Sequence, residues 1–195
     1  HDLSKPERLS SCGKPAPWVH LKLLDENNKE VAKGEAGEIC VRGPLVMKEY
    51  LDLPEQTAQA MGGDWLHTGD VGRFDDEGFL YIIDRTKDMI VTGGFNVFPR
   101  EIEDVISEHP SVGQNCVIGV PSEKWGEAVK AVVVLRPDFE GNDKLASELM
   151  ALVKDAKGSV HTPKSIDFVA EIPLTNVGKP DKKVLRAQYW KDSDR

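Results

Sequence analysis

Apolar residues in positions 1–85 come in short bursts separated by polar turns. The stretch WVHLKLL (18–24) alternates loosely and gives way to polar DENNKE, and GEICVRG (37–43) is a short run bounded by glycines. Both patterns predict strands. PEQTAQAM (54–61) opens on a proline, holds good helix formers and is followed by Gly62-Gly63, which predicts one or two helical turns. The apolar runs at 71–74 and 79–83 flank Asp75-Asp76-Glu77-Gly78, a hairpin signal with glycine where positive φ is wanted.

After Arg85 the pattern changes. A short strand at 89–92 runs into Gly93-Gly94. PREIEDVISEH (99–109) then sets Ile102, Val105 and Ile106 on one helical face, with Pro110 closing it. Strands are predicted at 115–120 and 128–135, the second with a continuous AVVVL core. An amphipathic helix follows at 143–157, with Leu145, Leu149, Leu152 and Val153 on its apolar side. A strand at 165–170 and a helix near 181–190 complete the series. Strand and helix interleave, so residues 86–195 are expected to form a small α/β domain behind a β-rich segment at 1–85. The boundary is expected at 84–87, and the whole is α/β (α+β).

Composition narrows the function. The net charge is −8, which argues against nucleic acid, because phosphate backbones need clustered Lys and Arg. Residues 1–85 carry ten basic and sixteen acidic side chains, and 86–195 carry fifteen and seventeen. The second segment is thus the better place for an anionic ligand. No apolar run nears the ~18 residues of a membrane span, and nothing resembles a signal peptide. Cys12, Cys40 and Cys116 are far apart, and neither they nor the five histidines show metal-ligand spacing. A reduced, cytoplasmic chain without a metal set of its own is the expectation. The first residue is histidine rather than methionine, so a piece of a longer protein is expected.

Three segments carry a more specific signal: WLHTGD (65–70), DRTKDMIVTGGFNVFPREIE (84–103) and PLTNVGKPDKKVLR (173–186). In this order and spacing they resemble the adenylate-forming superfamily of acyl-CoA ligases, peptide-synthetase adenylation domains and beetle luciferases, over essentially the whole chain. The resemblance implies that 1–85 is the β-rich end of a large AMP-binding N-terminal domain and 86–195 its small mobile C-terminal domain. The family's Ser/Thr/Gly-rich phosphate loop and its aromatic-Gly-x-Thr-Glu segment are missing here. Most ligands of Mg²⁺ and most of the acid pocket are therefore expected upstream, and this piece alone is not expected to catalyse the full reaction.

Residue by residue, the resemblance implies the following roles. Asp70 matches an aspartate that accepts hydrogen bonds from the ribose hydroxyls of ATP or AMP, a task two carboxylate oxygens suit; on its own, TGD also fits a plain turn with Asp70 on local N–H groups. Arg85 matches an arginine that reaches the ribose region, in Asp-Arg where Gly-Arg is more usual. Lys87 takes the hinge position, where backbone freedom matters more than side chain. Gly93 and Gly94 match the loop that faces the active site during thioester formation, and GG fits a simple turn equally well. Lys179 fills the lysine of Pro-x-Thr-x-x-Gly-Lys, with Pro173, Thr175 and Gly178. It matches the lysine that stabilises charge growing on the α-phosphate, an effect worth roughly 3–4 kcal/mol per donor. Its bland alternative is a solvated surface lysine, and Lys182 and Lys183 are close competitors. His67, beside TGD, is read first as structural, and Trp65, Trp125 and Trp190 as packing anchors.

The resemblance thus implies a carboxylic acid–CoA ligase that consumes ATP with Mg²⁺, forms an acyl-adenylate and passes the acyl group to CoA. The rivals are an adenylation domain loading a carrier protein and a non-catalytic nucleotide-binding or interaction fragment. No carrier-domain serine motif follows the last helix, which favours the stand-alone ligase. The sequence leaves the identity of the acid and the oligomeric state open.

Overall fold

In the computed structural model, which describes residues 5–190, the chain folds as two units that divide between Lys87 and Asp88. His1, one of the five histidines, lies outside the described residues.

The first unit is an antiparallel sheet of β1 (His20–Leu24), β2 (Gly37–Arg42), β3 (Met61–Gly62), β4 (Trp65–Phe74) and β5 (Leu80–Arg85). Its order is β1-β2-β4-β3, with β5 also paired to β4. Leu23, Ile39 and Leu80 are buried, with Leu21, Val41 and Phe74 packed against them. The β4–β5 turn forms for a local reason: Asp75 Oδ1 accepts from the N–H groups of Glu77 (2.9 Å) and Phe79 (2.8 Å), and Gly78 takes φ +82°. Helix α1 (Pro54–Ala60) buries none of its residues and stops one residue before the predicted end, because Met61 is already strand. Strand β4 starts six residues earlier than 71–74 suggests. The TGD segment is therefore part of a strand and not a loop.

The second unit has β6 (Ile90–Thr92), β7 (Phe95–Val97), β8 (Val112–Ser122), β9 (Gly126–Leu135) and β10 (Ser165–Phe168), with helices α2 (Pro99–Ser107), α3 (Asp143–Lys157) and α4 (Lys182–Tyr189). Strand β9 pairs antiparallel with β8, parallel with β10, and meets β6 at Thr92↔Gly126. Alternation along β9 explains the layering. Val129, Ala131 and Val133 join a core with Ile102 and Ile106 of α2 and Leu149 and Val153 of α3. Val132, between them, points the other way, into a core with Cys116, Ile118 and Leu185 of α4. The AVVVL run is continuous because helices cover both faces of its strand. Helix α3 keeps its predicted bounds: Asn142 Oδ1 accepts from Leu145 N at 2.9 Å, and Gly158 ends it at φ +84°.

Candidate functional site

The TGD segment stands on a bulge. Glu38 pairs with Val71 and Cys40 with His67, so two steps along β2 match four along β4 and the residues between them arch away from the ladder. Gly69 takes φ +73° at the crest. The arch is held from below by Glu38, whose Oε1 accepts from Gly69 N at 3.0 Å while Oε2 lies 2.8 Å from His67 Nδ1. Thr68 Oγ1 donates to Ile39 O (2.8 Å) and accepts from Asp70 N (3.1 Å). Glu38 and Thr68 thus serve the local N–H groups, the task the plain-turn reading gave to Asp70. Sequence reasoning passed over Glu38 because it lies 31 residues from Gly69; only the strand register brings the two together.

Asp70 is directly opposite Arg85 on β5, and Arg85 Nε lies 3.5 Å from Asp70 Oδ1. Opposed residues of an antiparallel pair share a face. The side chains are 36% and 58% exposed, so the pair is worth at most about 1 kcal/mol to the fold. What it offers is a carboxylate and a guanidinium side by side, open to a ligand. Lys87 follows in a short 3-10 turn, Thr86–Asp88, at the junction of the units, exposed.

In the second unit Gly93 and Gly94 are a two-residue hairpin turn between Thr92 and Phe95. Their φ angles, +58° and +83°, are those a tight hairpin demands at both central positions, which is why both are glycine. Gly93 N donates to Trp125 O at 2.9 Å, and a Cβ on Gly93 would stand 2.8 Å from Trp125 Cε3. Trp125 therefore seats the turn. Strand β7 went unpredicted because three residues, only Val97 among them buried, carry no legible alternation.

Lys179 rides a closed, exposed loop. Thr175 N donates to Lys179 O at 2.7 Å, and Lys179 N donates back to Thr175 Oγ1 at 3.2 Å. Leu174 bridges Pro180, Gly178 turns at φ +77°, and Asp181 N donates to Pro173 O at 2.7 Å. Asp181 then caps α4, accepting from Val184 N at 3.1 Å. Of the competing lysines, Lys182 is drawn into the fold: its Nζ is 2.8 Å from Glu103 Oε1. Lys183 lies exposed on α4, and Lys179 projects from the loop.

Glu38, Cys40 and His67 bring three potential metal-ligand atoms within 4.8 Å of one another, a set that linear spacing hides. A thiol and an imidazole are poor donors for Mg²⁺, which takes oxygen. The Cys40 thiol is pushed up to about 11 by burial and by the charge of Glu38, so it stays protonated near neutral pH. The set fits hydrogen-bonded support of the bulge and does not fit an Mg²⁺ site.

Comparison with known proteins points one way. The model of the AMP-binding enzyme C-terminal domain matches residues 101–179, ending on Lys179, and that of the AMP-binding enzyme matches residues 1–51. Medium/long-chain-fatty-acid–CoA ligase FadD8 of Mycobacterium tuberculosis is 54% identical over 97% of this chain and 34% of its own length. Fatty acid–[acyl-carrier-protein] ligase ScoC of Streptomyces coeruleorubidus is 37% identical over 96% and 36%. The amide bond synthetase McbA of Marinactinospora thermotolerans has a similar structure, with TM-score 0.83 and 40% identity over 96% of this chain and 38% of that one. The chain spans about a third of the length of the curated relatives it matches. No helix among the described residues is long and apolar enough to cross a membrane. The chain belongs to the AMP-binding, adenylate-forming enzyme family and matches the C-terminal part of its fatty-acid–CoA ligases and of other members alike.

Proposed function

We propose that the full-length protein is an ATP-dependent carboxylic acid–CoA ligase. An oxygen of the acid attacks the α-phosphorus of ATP and pyrophosphate leaves. The CoA thiol then attacks the acyl carbonyl and loses its proton, the acyl C–O bond breaks, and AMP departs carrying the bridging oxygen that the acid contributed. The observation that carries this reading is Lys179, an exposed ammonium on a loop closed by Thr175. Placed at the α-phosphate, it meets charge that grows as the acid attacks, where a fixed cation lowers the barrier most. Asp70 and Arg85 hold the ribose. Rotation about Lys87 then withdraws Lys179 and brings the Gly93-Gly94 turn to the pantetheine arm, which can come close at Gly94, where the missing Cβ leaves open space. Mg²⁺ accompanies the nucleotide, held by residues upstream of this chain.

The 54% identity to a medium/long-chain-fatty-acid–CoA ligase makes such fatty acids the first substrates to test. The free cysteines support a reducing, cytoplasmic setting. A second reading, transfer to a carrier protein, is favoured by the likeness to ScoC. Full-length protein is to be assayed for pyrophosphate release with fatty, aromatic and short-chain acids, then for acyl transfer to CoA and to a phosphopantetheinyl carrier protein. Acid-dependent pyrophosphate followed by acyl-CoA is expected. Transfer to the carrier alone selects the second reading, and absence of acid-dependent pyrophosphate contradicts both.

A further inference from the structure

Lys179 is held by a loop, and the loop must itself be held. It joins α4, a helix of eight residues with Leu185 as its buried anchor. A helix this short is marginal without tertiary support, so the position of its first turn depends on what grips it there. Asp181 caps that turn. The next residue, Lys182, reaches across to Glu103 of α2, with Nζ 2.8 Å from Oε1 and side chains only 16% and 20% exposed. The same Glu103 oxygen accepts from Val117 N of β8 at 2.8 Å. Cys116, the residue before Val117, is fully buried, and Glu103, Lys182, Asp88 and Arg186 are the charged groups that act on it.

Little slack separates Lys182 from Lys179. Pro180 has a fixed φ, and Asp181 is pinned at both its N–H and its carboxylate. A shift of Lys182 is therefore passed to the loop. Glu103, for its part, is fixed to the sheet through Val117 and sits on the helix that begins two residues after β7, the second arm of the Gly93-Gly94 turn.

We infer that the Glu103–Lys182 ion pair is a positioning device for adenylation: it locks the Lys179 loop to the α2–β8 frame, and neither residue touches substrate. This rests on the reading of Lys179 given above. A partly buried pair of this kind is screened less than a surface one, and misplacement of a catalytic group by about 1 Å lowers rates on the order of a hundredfold.

The test uses the full-length protein and its two half-reactions, with Lys179→Ala run beside Lys182→Met, Lys182→Arg and Glu103→Gln. Lys182→Met and Glu103→Gln are expected to lower kcat for acyl-adenylate formation by roughly ten- to a hundredfold, with KM for ATP and acid unchanged. Thioester formation from supplied acyl-adenylate should be spared, and Lys182→Arg should recover most of the rate. Should Lys182→Met fail to fold, Glu103→Gln decides, since its amide keeps the bond from Val117 N–H and loses only the charge. If Lys179→Ala abolishes adenylation while the pair variants leave kcat intact, or slow both half-reactions equally, the positioning role is overturned. If Lys179→Ala itself leaves adenylation intact, the reading of Lys179 fails and this inference falls with it.

Discussion

Asp70 and Arg85 face each other across neighbouring antiparallel strands, Oδ1 to Nε 3.5 Å, and both remain open to solvent. A pair so exposed adds little to stability, so its replacement separates binding from folding. In the full-length protein, Asp70→Asn is expected to weaken ATP binding roughly ten- to a hundredfold, the worth of one or two hydrogen bonds to a charged group. The melting temperature should move by no more than a few degrees. Calorimetric titration beside thermal melting checks both; unfolding with unchanged affinity would count against the ribose role.

Glu38 should behave in the opposite way. Glu38→Ala removes the acceptor for Gly69 N–H and the nearer of the two partners of His67 Nδ1, leaving it Cys40 Sγ at 3.4 Å, inside a half-buried bulge. Leaving such groups unmet costs about 1–3 kcal/mol. Stability measured by denaturant is expected to fall by that amount, and nucleotide affinity to fall with it because Asp70 loses its footing.

Gly93 and Gly94 differ in one respect that substitution reads out. Both have positive φ, so alanine strains either. Only at Gly93 does the new methyl meet a wall, Trp125 at 2.8 Å, while Gly94 faces open space. Gly93→Ala is expected to destabilise more than Gly94→Ala and to slow thioester formation more than adenylation. Equal effects at the two positions would show that Trp125 does not seat the turn.

The Asp167–Tyr189 hydrogen bond, 2.7 Å between β10 and the end of α4, gives stability a pH signature at both ends. Burial alone would raise the Asp167 carboxyl, but hydrogen bonds from Lys130 and Tyr189 outweigh it and hold the carboxyl below its ordinary value. Its folded pKa is depressed, so its contribution is present above about pH 3.9 and is lost as pH falls through the folded value. Burial, then Asp167, pushes Tyr189 up to about 12 from 10.0. That contribution is complete below pH 10 and fades as pH climbs toward 12. Urea midpoints against pH should show both flanks, and Tyr189→Phe should remove the alkaline decline due to this group.

How much of this the sequence disclosed depends on the range of the interaction. Local signals served well: Asn142 and Gly158 bound α3, Pro99 opens α2, and the Asp75–Gly78 turn closes on its own side chain. Lys179 and its loop were legible because Thr175, Gly178 and Lys179 are neighbours in sequence. What escaped is set by register across distance. The bulge under Asp70 needs β2 beside β4, the Lys182–Glu103 pair needs α4 against the face of β8, and the seat of Gly93 needs the β8–β9 turn to deliver Trp125. Each of these supports a candidate residue, so motifs of neighbouring residues point to candidate groups while the distant residues that hold them appear only in the fold.

The central claim is that Lys179 serves adenylation alone, and the direct measurement is a comparison of both half-reactions in full-length Lys179→Ala protein. Pyrophosphate release from acid and ATP should fall by at least a hundredfold, as expected when a charge-stabilising donor worth about 3–4 kcal/mol is lost. Conversion of supplied acyl-adenylate to acyl-CoA should keep its wild-type rate. Equal loss in both steps, or adenylation left intact, would contradict the account.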